Sequence, residues 1–342
     1  DRDTAEKSGR NSGTGSSDFK IKLTGEYNMK KEVFTFPSID GKTNIHAVKW
    51  LPDSGNYKAI LQITHGMIEY IERYEPFAEF MTDNGYMVVG HDHLGHGESV
   101  TTKDDWGFFA DVDSPSDYLV EDMHGLRSLV QKDNPGVPYF MFGHSMGSYL
   151  LRKYLSVHND NLRGAIICGT GYSPENTTKM GITATKLMKK LKGSHGRSRL
   201  LRDLTYDKYY KKFDMFGKDP SNSWLTRDEA IVKKYYADPK CTFLFTVNGY
   251  AGLTEAVLYA CRQENVDKIP NRLPIFIVSG ADDPVGGCSE GVMKVVEMFK
   301  TSGKEDLTYK LYDGCRHEIL NEIGKEQIYA DLLAWMNVRI DT

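Results

Sequence analysis

Five short apolar runs punctuate the chain: AILQIT (59–64), YMVVG (86–90), YFMFG (139–143), AIICG (165–169) and LPIFIVSG (273–280). Each is too short for a helix, rich in β-branched or aromatic residues and apolar at odd and even positions alike, the pattern of a strand buried on both faces of a parallel sheet. Between them apolar residues recur with helical period, as in Leu119, Met123, Leu126 and Val130, then Leu151, Tyr154 and Leu155, and later Val292, Val295, Val296 and Phe299. The alternation predicts an α/β fold with a mostly parallel central sheet and helices on both faces. Upstream, EVFTF and IHAVKW flank the turn IDGKT, whose Asp-Gly pair supplies the dihedrals of a tight reversal, so the sheet is expected to begin with an antiparallel hairpin. In such a fold the functional groups gather at the carboxyl ends of the strands.

The pattern also marks boundaries. Residues 1–28, with the Gly/Ser-rich stretch EKSGRNSGTGSSDFK, are too polar to fold alone and read as a leader or expression remnant, although IKLTGEY could add an edge strand. The core then runs from 29 to 171 and resumes from 251 to 342. Between 172 and 250 the alternation lapses into Gly, Lys, Tyr and Asn, and this segment reads as an insertion. Its segment ITATKLMKKLK places Ala184, Leu187, Met188 and Leu191 on one helical face, either a docking face or a lid whose apolar side meets substrate or lipid.

Composition narrows the partners. The 342 residues are 40% hydrophobic and 26% charged, which suits a globular protein with a sizeable core. A formal net charge of −4 gives no electrostatic case for nucleic acid. Five cysteines, Cys168, Cys241, Cys261, Cys288 and Cys315, lack C-x-x-C spacing, which argues for a reducing, cytoplasmic setting. No apolar run reaches the roughly 18 residues of a membrane span, so any membrane contact is expected to be peripheral, through the inserted segment.

The sharpest chemical signal is PYFMFGHSMGSYLLRKYL, where a buried strand ends in Gly143-His144-Ser145-Met146-Gly147 and a helical pattern begins at once. G-x-S-x-G between strand and helix places a serine on a strained turn that lifts its hydroxyl out of the sheet. A serine hydroxyl needs an imidazole to take its proton and a carboxylate to orient that imidazole, in the chain order Ser, acid, His. Asp282 and Asp283 follow the strand LPIFIVSG; Asp283 is preferred, with Asp282 the fallback. His317 is the only histidine downstream of both. The backbone N–H groups of Met146 and of Met67, in THGM after AILQIT, are the expected oxyanion donors. His144 is expected to pack only.

Together HGMIEYIERY, HDHLGHGES, GHSMGS, GADDPVG and CRHEILNE resemble the corresponding segments of the monoacylglycerol lipase and lysophospholipase group of α/β hydrolases, which includes serine aminopeptidase-like members. The resemblance spans about Glu32 to Thr342. It implies the α/β-hydrolase fold, the triad Ser145, Asp283 and His317, an oxyanion hole at Met67 and Met146, no metal or cofactor, and a helical cap over roughly 172–250. The implied activity is hydrolysis of a small acyl ester or lipid of monoacylglycerol or lysophospholipid type. A short-chain carboxylesterase is the alternative; an aminopeptidase would need an acidic group in the cap, for which Glu175, Asp214, Asp219 and Glu229 are candidates. A reading of another class is a binding module with an inactive site.

GHDHLGHGES raises a competing idea, because His91, His93 and His96 crowd beside Asp92 and Glu98 at a spacing suggestive of zinc. The commonest metallo-hydrolase pattern, however, has an aspartate directly before the last histidine, where this chain has Gly95. The segment instead resembles a structural D-x-x-G-H-G-x-S turn in which Asp92 and His96 bond the backbone. Cys288 and Cys315 flank the acid and base loops as small packing residues, and Tyr209, Tyr210, Trp224 and Tyr250 either line an acyl pocket or form the inserted segment's own core.

Overall fold

A computed structural model describes residues 29–158 and 160–341. The leader expected at 1–28, with the edge strand considered for IKLTGEY, lies outside the described residues. Eight strands form one sheet among them: β1 (Met29–Pro37), β2 (Asn44–Pro52), β3 (Ala59–Thr64), β4 (Tyr86–His91), β5 (Tyr139–His144), β6 (Gly164–Cys168), β7 (Ile275–Gly280) and β8 (Leu307–Tyr312). Their spatial order is β1-β2-β4-β3-β5-β6-β7-β8. The hairpin β1–β2 is antiparallel, β2 meets β4 antiparallel, and every later pairing is parallel.

The helices are α1 (Glu75–Asp83), α2 (Pro115–Asp133), α3 (Met146–Val157), α4 (Glu175–Lys192), α5 (Arg199–Leu204), α6 (Glu229–Ala237), α7 (Val247–Ala260), α8 (Gln263–Val266), α9 (Glu290–Thr301) and α10 (Lys325–Asn337). Both sheet faces are covered, which is why the apolar runs do not alternate. Ile60, Met87, Val89, Met141, Ile167 and Ile277 face a core shared with α2, α3, α7 and α9. Their chain neighbours Leu61, Val88, Phe140, Phe142, Ile166 and Phe276 face the opposite core, with α1 and α10. Each of these fully buried side chains stabilises the fold by roughly 1.5–3 kcal/mol relative to exposure. No helix among the described residues is long and apolar enough to cross a membrane.

The sheet reverses its winding at β3, which pairs β4 on one side and β5 on the other. Such a switch point opens a crevice beyond the carboxyl ends of its strands, and the loop Gly66–Met67 and the residue Ser145 stand at those two ends. Between β6 and β7 the chain adds no strand of the sheet and runs through α4 to α8. The boundary expected at 250 falls inside α7, whose Val247, Tyr250, Ala256 and Ala260 belong to the main core. The apolar stripe expected on α4 divides: Ala184 and Met188 pack on the core, whereas Leu187 and Leu191 line up with Met180 on the outside, 58%, 70% and 73% exposed.

Candidate active site

Ser145 is held at φ 54° and ψ −121°, between the end of β5 and the first residue of α3. A non-glycine residue there is strained, and strain persists only where the surroundings impose it. Here strand and helix are packed so closely that the flanking glycines are obligatory. A Cβ at Gly147 would lie 2.2 Å from the carbonyl oxygen of Thr64, and one at Gly143 would lie 2.4 Å from that of Gly147. The backbone N–H of Ser145 donates to Cys168 O at 3.0 Å, tying the turn to β6.

The hydroxyl so presented meets His317. Ser145 Oγ lies 2.8 Å from His317 Nε2, and His317 Nδ1 lies 3.0 Å from both carboxylate oxygens of Asp283. Asp283 is fully buried and is oriented by the backbone N–H of Val285 and the hydroxyl of Ser279. Asp282, the fallback, turns outward, half-exposed, toward Lys212 at 3.7 Å. The structure therefore joins Ser145, His317 and Asp283 in one hydrogen-bond chain and leaves Asp282 out. The imidazole of His317 is also clasped on its faces, with Trp224 stacked at 5.0 Å and 26° and His144 tilted at 4.7 Å and 39°.

Met146 opens α3, where the first N–H groups have no partner within the helix. Met67 follows Gly66, at which a Cβ would approach Ser145 Cβ to 2.9 Å, so this loop runs directly beside the serine. Next to it Ile68 adopts φ 58°, an unusual value for a β-branched residue. Met67, Ser145, Met146 and His317 all border a cavity of about 650 Å³. Its far wall comes from the segment between β6 and β7: Gly181, Ala184 and Thr185 of α4, Leu201 of α5, Tyr206, Met215, Tyr235 of α6, and Leu253 and Val257 of α7. Tyr210, Trp224 and Tyr250 line it, whereas Tyr209 does not and instead donates to Glu290. Cys315 is buried and Cys288 half-buried, each thiol pushed up by burial.

Sequence reasoning missed a buried polar cluster behind this chain. Glu69 Oε1 accepts from Gly66 N at 2.5 Å and from the Tyr74 hydroxyl at 3.0 Å; Arg73 reaches Glu69 Oε2 at 2.9 Å and forks onto both oxygens of Glu318 at 2.8 Å. His144 corrects the packing-only expectation: its ring lies 3.1 Å from Glu69 Oε1 and 3.2 Å from His317 O. Burial works against charge on Glu69, but the His144 hydrogen bond and charge, then Arg73, outweigh it and hold the carboxyl well below its usual range. The E-x-x-x-R spacing of HGMIEYIERY, with Glu318 next to His317, was the available signal; nothing local shows that these residues, about 245 apart in sequence, meet.

A second link runs from the inserted segment to the loop bearing His317. Arg316 reaches Ser223 O, Glu318 N donates to Leu225 O at 2.7 Å, Thr226 donates to Asn321 O, and Arg227 pairs with Glu322 at 2.9 Å. Residues 223–227 thus form a strap pinned to residues 316–322.

The three histidines of GHDHLGHGES lie in the sheet's end and the following loop. Asp92 accepts from Ile71 N and Glu98 N, both at 2.8 Å, and His96 Nδ1 lies 3.1 Å from Leu94 O, so this loop is braced by its own polar groups. His65 packs against His93 at 4.3 Å and His96 at 5.2 Å. Burial drives His65 and His91 down to about 3 and His96 to about 4, keeping them neutral. No group of three or more His, Cys, Asp or Glu among the described residues could hold a metal ion.

Comparison with known proteins adds four findings. The sequence profile of the family described as serine aminopeptidase, S33, matches residues 55–324. Monoglyceride lipase of Rattus norvegicus is 26% identical over 298 residues, covering 85% of this chain and 86% of that protein. Among solved structures, a thermostable carboxyl esterase from Bacillus coagulans superposes with a TM-score of 0.82 at 29% identity, over 91% of this chain and 99% of that one. A soluble variant of monoglyceride lipase from Saccharomyces cerevisiae shares the fold, with a TM-score of 0.69 at 20% identity over 95% and 99% of the two chains.

Proposed function

The chain belongs to the serine aminopeptidase S33 family, and from that membership we propose that it is a serine hydrolase cleaving acyl esters of monoacylglycerol or lysophospholipid type through an acyl-enzyme. The observation that carries the reading is the unbroken chain from Ser145 Oγ through His317 to Asp283 at the floor of a large, mostly apolar cavity. Ser145 attacks the ester carbonyl while His317 Nε2 takes its proton; Asp283 holds the Nδ1–H tautomer and stabilises the imidazolium that forms. The N–H groups of Met67 and Met146 receive the developing oxyanion. His317 then protonates the departing alcohol, and water, activated by the same imidazole, releases the acid. Asp283 rather than Asp282 is the acid because only its carboxylate reaches the ring.

We assign residues 172–250 as a cap between the core segments 29–171 and 251–342, since this stretch supplies most of the cavity's far wall, which Leu253 and Val257 of α7 complete. A cavity of about 650 Å³ is in the range of small-ligand sites. The outer row Met180, Leu187 and Leu191 of α4, beside Lys179, Lys186 and Lys190, supports peripheral contact with a lipid surface. Five free cysteines speak for a reducing, cytoplasmic setting.

An amine-binding reading is supported by one carboxylate of the cap, Asp207, which lines the cavity. Glu175 pairs with Lys179 and Arg262, Glu229 with Lys233, and Asp214 and Asp219 accept local bonds; none of the four lines the cavity. The likeness to a carboxyl esterase favours a short-chain esterase as the second reading. A fluorophosphonate probe should label the protein and fail on Ser145→Ala; absence of labelling in the wild type would instead indicate a binding module. Glycerol and choline esters of graded chain length, run beside amino-acid amides, separate lipase, esterase and peptidase.

A further inference from the structure

We infer that His144 is a positioning residue, held as an imidazolium in the resting protein, that fixes the main chain of His317 relative to Ser145; the inference rests on the reading of His317 as the base. The argument is one of donors and acceptors. Nδ1 of His144 faces a carboxylate oxygen of Glu69 at 3.1 Å and Nε2 faces the carbonyl oxygen of His317 at 3.2 Å. Both partners are acceptors, and a neutral imidazole has one N–H to offer, so one contact would set lone pair against lone pair. Turning the ring over would aim carbon atoms at both oxygens. Only the doubly protonated ring satisfies the two.

Charge balance leads to the same state. Glu69, Arg73, Glu318 and His144 are buried together, with side chains no more than 12% exposed. Two carboxylates and one guanidinium would leave an uncompensated negative charge in the interior, which is costly; an imidazolium cancels it. The groups facing His144 are Glu69 and Tyr74 from the segment after β3, with Arg73 behind them, and His317 and Glu318 from the base loop. Burial pulls His144 toward neutrality, but the hydrogen bond and charge of Glu69, then the charge of Glu318, hold its pKa above the ordinary value.

The consequence is mechanical. His144 is the residue immediately before the nucleophile, and its far N–H grips the carbonyl of the base residue. The turn that carries Ser145 and the loop that carries His317 are thereby joined by one side chain whose two hydrogen bonds reach no reacting atom.

The test uses the full chain labelled with ¹⁵N-histidine. The ring nitrogens of His144, assigned through their proton contacts to Tyr74 and His317, should both resonate as imidazolium from about pH 6 to about pH 8, where a free histidine loses its proton. Glu69→Gln should shift them to the neutral pattern at about pH 7. His144→Phe keeps a ring but no donors; its kcat should fall about 10-fold per fluorophosphonate-titrated site with KM within about 2-fold, the pattern of lost alignment. A neutral tautomer in the wild type at about pH 7, or wild-type kcat per titrated site in His144→Phe, overturns the inference. If that variant does not fold, the wild-type spectrum decides alone. A wild type that is not labelled by the probe would sink the hydrolase reading while leaving the spectrum unchanged, so the two failures are distinguishable.

Discussion

Replacing His91 by phenylalanine isolates the energetic effect of a buried neutral imidazole. His91 ends β4, is fully buried, and neither ring nitrogen has a hydrogen-bond partner among the described residues. Its ring meets His93 edge-on at 4.9 Å and Phe36 at 5.9 Å. Burial lowers its pKa to about 3, against about 6.5 in the unfolded chain. Because the folded value is the lower one, the unfolded chain takes up the proton first as pH falls. This residue's contribution is therefore intact above about pH 6.5 and drains away below it, at about 1.4 kcal/mol per pH unit, levelling near the folded value. At pH 5 the loss is about 2 kcal/mol from this side chain alone. Phenylalanine removes the titration and substitutes an apolar ring for two unpaired polar atoms, so stability near pH 7.5 should stay within about 1 kcal/mol of wild type. Urea unfolding of both proteins at about pH 7.5 and about pH 5 measures the gap, in which His65, His93, His96 and Asp92 cancel to first order. The variant's advantage should grow by about 2 kcal/mol on acidification. An advantage that does not change with pH would refute the reasoning, because it would mean that His91 takes up its proton while folded.

Asp283→Asn should lower kcat about 1,000-fold or more by reversing the tautomer of His317, whereas Asp282→Asn, at a half-exposed ion pair, should change kcat by less than about 2-fold; steady-state kinetics on one ester compares them. Gly147→Ala would drive a methyl against Thr64 O, displacing α3, so kcat/KM should fall by about 100-fold or more while circular dichroism still reports the fold. Leu187→Glu together with Leu191→Glu should reduce sedimentation with anionic vesicles by about 10-fold and leave hydrolysis of a soluble short-chain ester within about 2-fold, since both side chains point away from the cavity.

The sheet was legible because each buried strand declares itself locally: AILQIT, YMVVG and YFMFG carry apolar residues at odd and even positions alike, the pattern of a covered strand. The strained turn at Ser145 was legible for the same reason, since its strand, glycines and helix are contiguous. The choice between Asp282 and Asp283 was not, because adjacent carboxylates differ only in which side of a turn they leave, and Val285 N and Ser279 decide that through space. Nor was the role of His144: its partners Glu69 and His317 lie 75 and 173 residues away, and no periodicity connects them. The stripe on α4 was half right, since apolar residues at helical spacing identify a face but not whether both edges of it are covered.

The strap from Ser223 to Arg227 bears on how this protein can be re-engineered. It belongs to the stretch between β6 and β7 that lines the cavity, yet it grips the loop of His317 through Arg316 and Glu322 and sets the indole of Trp224 against the imidazole. A chimera that swaps this stretch for a relative's would remove one of the two rings packed against the imidazole of His317. Exchanges that preserve this packing have to move the strap and its anchor loop as a unit.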